Sequence, residues 1–159
     1  RFTTQYPELS DISFEQFKNS AQRLAANVRK IESDNRNVPL GGNNAGSSAT
    51  GKYQFLRDSV EPAINRTLRR VEPQDKNIFD SIRENKDTSK LNDEAQQLLF
   101  FGDIFEKTGS DKHLVPYFLG DEQAGKNVYL YQHHTLSSKV PEYNQETIDR
   151  TNKLWNSPE

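Results

Sequence analysis

Two short groups of residues have the types and order that acid chemistry on a polar substrate needs. Glu32 and Ser33 stand where an apolar helical stripe ends. Ser48-Ala49-Thr50-Gly51-Lys52-Tyr53-Gln54-Phe55 follows a polar loop and leads back into apolar sequence. A carboxylate at a helix C-terminus faces the negative end of the macrodipole, and partial burial adds a desolvation cost. Both effects disfavour the charged form, which suits an acid that must carry a proton near neutral pH. An exposed helix-end glutamate fits the same position. Gly51 permits close backbone approach or a positive φ. Gln54 offers an amide to a polar substrate, or is an ordinary loop glutamine. Ser48 is a hydroxyl that orients Glu32 or the substrate, or a loop cap.

The elements that must hold these groups can be read from periodicity. Residues 1–12 form an irregular lead-in, with Pro7 blocking an early helix. Ser13 and Gln16 make a capping box. Phe14, Phe17, Ala21, Leu24, Val28 and Ile31 then recur at helical spacing and predict one long amphipathic helix. Residues 33–50 hold four Asn, three Gly and three Ser and read as a loop. A loop that long in a compact domain is usually functional or mobile. A small β-hairpin within residues 38–56 is the most β structure the sequence supports. Asp58 and Glu61 repeat the capping-box pattern, with Pro62 in the first helical turn and Pro73 as the stop. Residues 77–83 predict a short helix. Residues 93–107 are apolar over much of their girth and predict the central buried helix, stopped by Gly109. Asp111 and Asp121 predict caps of two further helices, the second with Ala124, Val128 and Tyr131 on one face. A last helix is predicted over 145–155. The fold class is therefore mainly α, a bundle around the 93–107 helix, in a single domain of 159 residues.

Composition removes several function classes. Only 32% of residues are hydrophobic, so the core is economical and leans on nine Phe, six Tyr and one Trp. The net charge of −2 lacks the basic excess of a general nucleic-acid binder. No apolar run approaches the roughly 20 residues that span a bilayer, and no signal-peptide pattern stands out. With no cysteine, disulfides, thiolate metal sites and cysteine nucleophiles are excluded. Methionine is absent even at position 1, which is expected of a processed form or an engineered fragment, either of which leaves room for a further segment upstream.

Taken together, the motifs resemble the lytic transglycosylase and goose-type lysozyme branch of the lysozyme-like superfamily. Glu32-Ser33 is similar to the Glu-Ser motif of that family. Ser48 to Phe55 is similar to the segment that follows it, and Thr-Gly-x-Tyr-Gln-Phe resembles versions in phage and bacterial wall-degrading relatives. Leu114-Val115-Pro116-Tyr117-Phe118-Leu119-Gly120, with Ala124 beyond, is similar to a third motif in phage-borne members. The likeness covers roughly residues 13–131. Two departures stand out: Gly-Lys-Tyr-Gln replaces the Gly-Leu-Met-Gln of many members, and Pro-Tyr-Phe-Leu-Gly replaces Ala-Tyr-Asn-x-Gly.

The resemblance implies an α+β lysozyme-like fold and a muralytic enzyme that needs no cofactor or metal. In that reading Glu32 protonates the bond between N-acetylmuramic acid and N-acetylglucosamine, then acts as base to form a 1,6-anhydro end. It marks Ser48, Gly51, Tyr53, Gln54 and Tyr117 as substrate contacts. It also implies peptidoglycan glycan strands as the partner, with other virion proteins beside them. The place of action would be the bacterial cell wall, in the periplasm or outside the cell, for a bacteriophage-encoded protein.

Competing readings come from other residues. A hydrolytic lysozyme needs a second carboxylate, for which Asp34, Asp58, Asp103 and Asp121 are candidates. His113, His133 and His134 raise a metal-dependent murein peptidase, but adjacent His133 and His134 cannot both point into one site from a regular helix. Arg66, Arg69 and Arg70 form a basic helix face, either solvated or attracted to the anionic wall. A non-catalytic wall-binding virion module is the remaining alternative.

Overall fold

The structure, a computed structural model, describes residues 6–43, 46–107, 110–137 and 139–158. It is mainly helical, and no strand occurs among the described residues. Its contacts divide the chain into two compact units, Glu32–Glu106 and the combination of Arg1–Ile31 with Lys107–Glu159.

The discontinuous unit is built on α1, Phe14–Ser33, whose last two residues count with the other unit. The Ser13 capping box forms as the sequence predicts. Ser13 N donates to Gln16 Oε1 at 2.9 Å, and Gln16 N donates to Ser13 Oγ at 3.0 Å. Ala21, Leu24, Ala25, Val28 and Ile31 are buried. Phe14 departs from the predicted stripe and is 77% exposed. It lies one turn before Phe17, where the stripe first meets a partner, the Phe118 ring at 4.5 Å.

Helices α4 (Ser110–Phe118), α5 (Glu122–Asn127) and α6 (Pro141–Leu154) complete this unit. Gly109, the predicted stop of the preceding helix, lies outside the described residues. Asp111 falls inside the first turn of α4 rather than capping it. Asp121 does cap α5, accepting from Ala124 N at 3.2 Å. Beyond α5 the chain winds into a π-helix, Val128–His133. His134 N donates to Tyr129 O, a five-residue step, at 2.8 Å. The wider turn shifts the buried face to Tyr129, Leu130 and Gln132, so Tyr131, expected on the inner face, is exposed. Helix α6 begins at Pro141, four residues earlier than predicted, because a proline in the first turn forfeits no helical bond. Its buried positions are Thr147 and Thr151, whose hydroxyls donate back to Tyr143 O and Thr147 O. Two threonines carry that face, so hydrophobic spacing did not reveal it.

The continuous unit pairs α2 (Arg57–Leu68) with α3 (Asp93–Glu106). Gly102 of α3 lies so close to Thr67 of α2 that any Cβ would collide with its backbone. Ala63, Ile64, Leu99, Phe100 and Ile104 are buried. The predicted 93–107 helix is thus present, although Phe101 and Phe105 stay half-buried. The Asp58–Glu61 capping box does not form. Helix α2 starts at Arg57, and the Arg57 amide is satisfied by Ser48 Oγ at 3.1 Å. Glu61 is drawn away to Arg83 and to Lys86, the latter at 3.2 Å. Pro62 therefore lies in the second turn. The predicted helix over 77–83 shrinks to one 3₁₀ turn, Asp80–Ile82. Asp103 and Glu106 hold Arg66 at 2.7 Å and Arg70 at 2.6 Å, so two of the three arginines on the basic face are spent in ion pairs. No helix among the described residues is long and apolar enough to cross a membrane.

Candidate functional site

The segment read as holding at most a small hairpin carries, among its described residues, two isolated antiparallel bridges, Val38–Gly51 and Thr50–Phe55. Gly51 and Gln54 both take positive φ, +75° and +55°, which breaks extended backbone at each end of the turn. Thr50 and Phe55 exchange both backbone bonds at 3.1 Å, closing a tight loop around Gly51–Gln54.

That loop is fastened on two sides through one residue. The carbonyl of Lys52 accepts from Ser33 Oγ at 2.7 Å, and the amide of Lys52 donates to Gln96 Oε1 at 2.9 Å. Ser33 is buried in the last turn of α1, beside half-buried Glu32. The Glu-Ser pair and the Thr-Gly-Lys-Tyr-Gln-Phe segment, which begins 17 positions after Ser33 at Thr50, therefore meet in the folded chain.

Gly51 is required twice over. Its φ is positive, and a Cβ would run into Thr88 Oγ1 and come within 2.7 Å of Gln96 Oε1. Gln54 holds a left-handed backbone without being glycine, at a cost of roughly 1 kcal/mol. Its amide is aligned, with Nε2 donating to Gly51 O at 2.9 Å and Oε1 accepting from Asn43 at 2.8 Å. Strained, over-determined residues of this kind cluster at functional sites. Tyr53 is buried and stacks on Phe100 with ring centroids 4.7 Å apart and planes at 12°. Its ring anchors the loop to α3. Ser48 is exposed, and its oxygen is engaged by the α2 amide described above.

Five of the six predicted site residues fall in this unit, and Tyr117 belongs to the other. There the Tyr117 hydroxyl donates to Ser20 O at 2.6 Å, and its ring lies 5.3 Å from the Arg23 guanidinium. Burial pushes that hydroxyl well above the ordinary phenol range, outweighing the pull of Arg23. The same unit carries an open groove of about 450 Å³ lined by Gln16, Asn19, Arg23 and Phe118 among others. None of the described residues that line it is a carboxylate.

The other candidate carboxylates divide by role. Asp103 is paired with Arg66, and Asp121 caps α5. Asp34 and Asp58 are exposed. His134 bonds Tyr143 at 2.9 Å, and His113 stacks on Tyr131. Burial, then the neighbouring Lys112, lowers the His113 pKa. Among the described residues no three His, Asp or Glu side chains converge as a metal site would require.

A polar layer that hydrophobic spacing does not reveal lies beneath the loop. Gln96, Thr50, Thr88 and Asp87 are all buried. Thr50 and Thr88 join hydroxyls at 2.9 Å, and Thr88 N donates to Thr50 Oγ1 at 3.0 Å. Asp87 accepts from Leu40 N, Ser89 N and Ser89 Oγ, fixing the loop after Pro39. The available signal was Gln96 itself, a polar residue one turn before Leu99 and Phe100 on a mostly apolar helix.

Compared with known protein families, curated proteins and solved structures, the chain matches none.

Proposed function

We propose that this protein is a muralytic enzyme that cleaves the bond between N-acetylmuramic acid and N-acetylglucosamine as a lytic transglycosylase. The observation that carries this reading is the Ser33 Oγ bond to Lys52 O, which joins the Glu32 turn to the Gly51–Gln54 loop. The resemblance of three motifs in chain order supplies the substrate class.

In this mechanism Glu32 gives its proton to the glycosidic oxygen, and the bond from that oxygen to C1 breaks. Positive charge develops on C1 and the ring oxygen. The Glu32 carboxylate then takes the proton of the muramyl C6 hydroxyl. O6 bonds to C1, giving a 1,6-anhydro end and returning Glu32 to its acid form. Gln54 has two amide hydrogens, of which one goes to Gly51 O. The other is the donor we assign to a substrate N-acetyl carbonyl. Commitment of Asp103 to Arg66 favours a single acid over a two-carboxylate lysozyme. The Thr-Gly-x-Tyr-Gln-Phe and Phe-Leu-Gly likenesses make a bacteriophage protein acting at the host cell wall our reading of its source and place.

The test is Glu32→Gln in a sacculus-lysis assay. Loss of a general acid costs about 10²–10⁴-fold, so lysis should fall into that range while circular dichroism stays unchanged. A folded variant with full activity would sink the assignment.

A further inference from the structure

We propose that Gln96 is the positioning residue of this site, an inference that rests on the glycan-cleaving reading above. Gln96 lies in the first turns of α3 with 2% of its surface exposed. Its Oε1 accepts from Lys52 N at 2.9 Å. Its Nε2 donates to Asn37 Oδ1 at 3.0 Å and to Leu91 O at 3.1 Å. Both donors and the acceptor are thus used, each on a different segment. One bond reaches the strained Gly51–Gln54 loop. The second reaches the chain four residues after Ser33, and the third the lead-in to α3.

The consequence for Glu32 runs through a single residue, Lys52. Lys52 is held at its amide by Gln96 and at its carbonyl by Ser33, the residue after Glu32. Those two bonds set where the loop carrying Gln54 stands relative to the acid. Asn37 adds a second tie, because its own Nδ2 donates to Ser89 O at 3.0 Å. Gln96 touches no reacting atom, so its role is geometric. Misplacement of a reacting group by about 1 Å can cost on the order of 100-fold in rate. A buried amide with every partner satisfied is a suitable rivet, since any slip leaves polar groups unpaired in the core.

The experiment compares the wild type, Gln96→Met and Asn37→Ala on isolated glycan strands, with amide hydrogen exchange read at Lys52. Methionine keeps the volume and removes all three bonds. Gln96→Met should lower kcat about 10- to 100-fold, leave KM within about two-fold, and speed exchange at Lys52. Asn37→Ala frees one Gln96 donor and loses the Asn37–Ser89 tie but keeps the Gln96 bond to Lys52, so it should lower kcat by a smaller factor with KM again unchanged. A merely structural role would lower the folded fraction without moving kcat of the folded enzyme. Wild-type protein that releases no glycan products overturns the cleavage reading, and this inference with it. Active wild type with kcat of Gln96→Met preserved overturns the positioning role alone. If Gln96→Met does not fold, an unchanged kcat in Asn37→Ala overturns it.

Discussion

Replacing Gly51 by alanine should cost far more than the same change at Gly41, and the difference isolates the packing beneath the loop. Both glycines have positive φ, +75° and +80°. A single left-handed alanine costs about 1 kcal/mol, and at Gly41 nothing lies within 4 Å of the new Cβ. At Gly51 the methyl meets Thr88 Oγ1 and Gln96 Oε1. Thr88 Oγ1 is bonded to Thr50 at 2.9 Å, and Gln96 Oε1 to Lys52 N at 2.9 Å. Displacing either oxygen leaves a buried polar group unsatisfied, at about 1–3 kcal/mol each. Relief of the clash by one such displacement brings Gly51→Ala to about 2–4 kcal/mol, and by both to more. Equilibrium urea unfolding measures each variant, provided the slope stays that of the wild type. Gly51→Ala should also lose lysis activity at conditions where it remains folded, because the loop must shift. Equal destabilisation of the two variants, within about 0.5 kcal/mol, would refute the reasoning and leave Gly51 with a conformational role only.

Further outcomes follow from single contacts. Ser13→Ala removes one arm of the capping box and should cost about 1 kcal/mol in thermal or urea unfolding; a neutral change would mean the box is idle. Tyr53→Ala empties a buried ring site stacked on Phe100 and should cost about 3–5 kcal/mol by the same measurement. Glu122 gives a pH test. Burial raises its pKa, but bonds from Trp155, Arg23 and Asn156 outweigh that and leave it below the ordinary 4.5. A carboxylate lowered in the folded state contributes stability above its unfolded value, and that contribution is lost as pH falls through the folded value. Glu122→Gln should therefore lower the urea midpoint at neutral pH, modestly because the pair is part-exposed, and should flatten the loss of stability on acidification below about pH 4.5. Parallel pH curves for the two proteins would contradict this.

Legibility of the sequence followed the physics of each element. Helix α1 was readable because its capping box and its stripe, Ala21 through Ile31, point to the same start and face. Helix α3 was readable from apolar content alone. Asp58 and Glu61 misled, because a capping pattern is local, whereas Ser48 from nine residues away took the cap and Arg83 with Lys86 took the glutamate. Tyr131 misled because a π-turn changes the period that any helical projection assumes. At the candidate site Glu32, Gly51 and Gln54 were visible as residue types. What joins them was not, since Ser33 to Lys52 and Gln96 to Lys52 are bonds to backbone atoms, which every residue carries.

The most direct measurement is mass spectrometry of the muropeptides released from purified sacculi by the wild type and by Glu32→Gln. The account predicts 1,6-anhydromuramyl ends from the wild type and none from the variant. New reducing ends would mean a hydrolytic lysozyme, and freed cross-link amines a peptidase. Either result, no release at all, or anhydro ends still made by folded Glu32→Gln, would contradict the claim that Glu32 acts alone as acid and base.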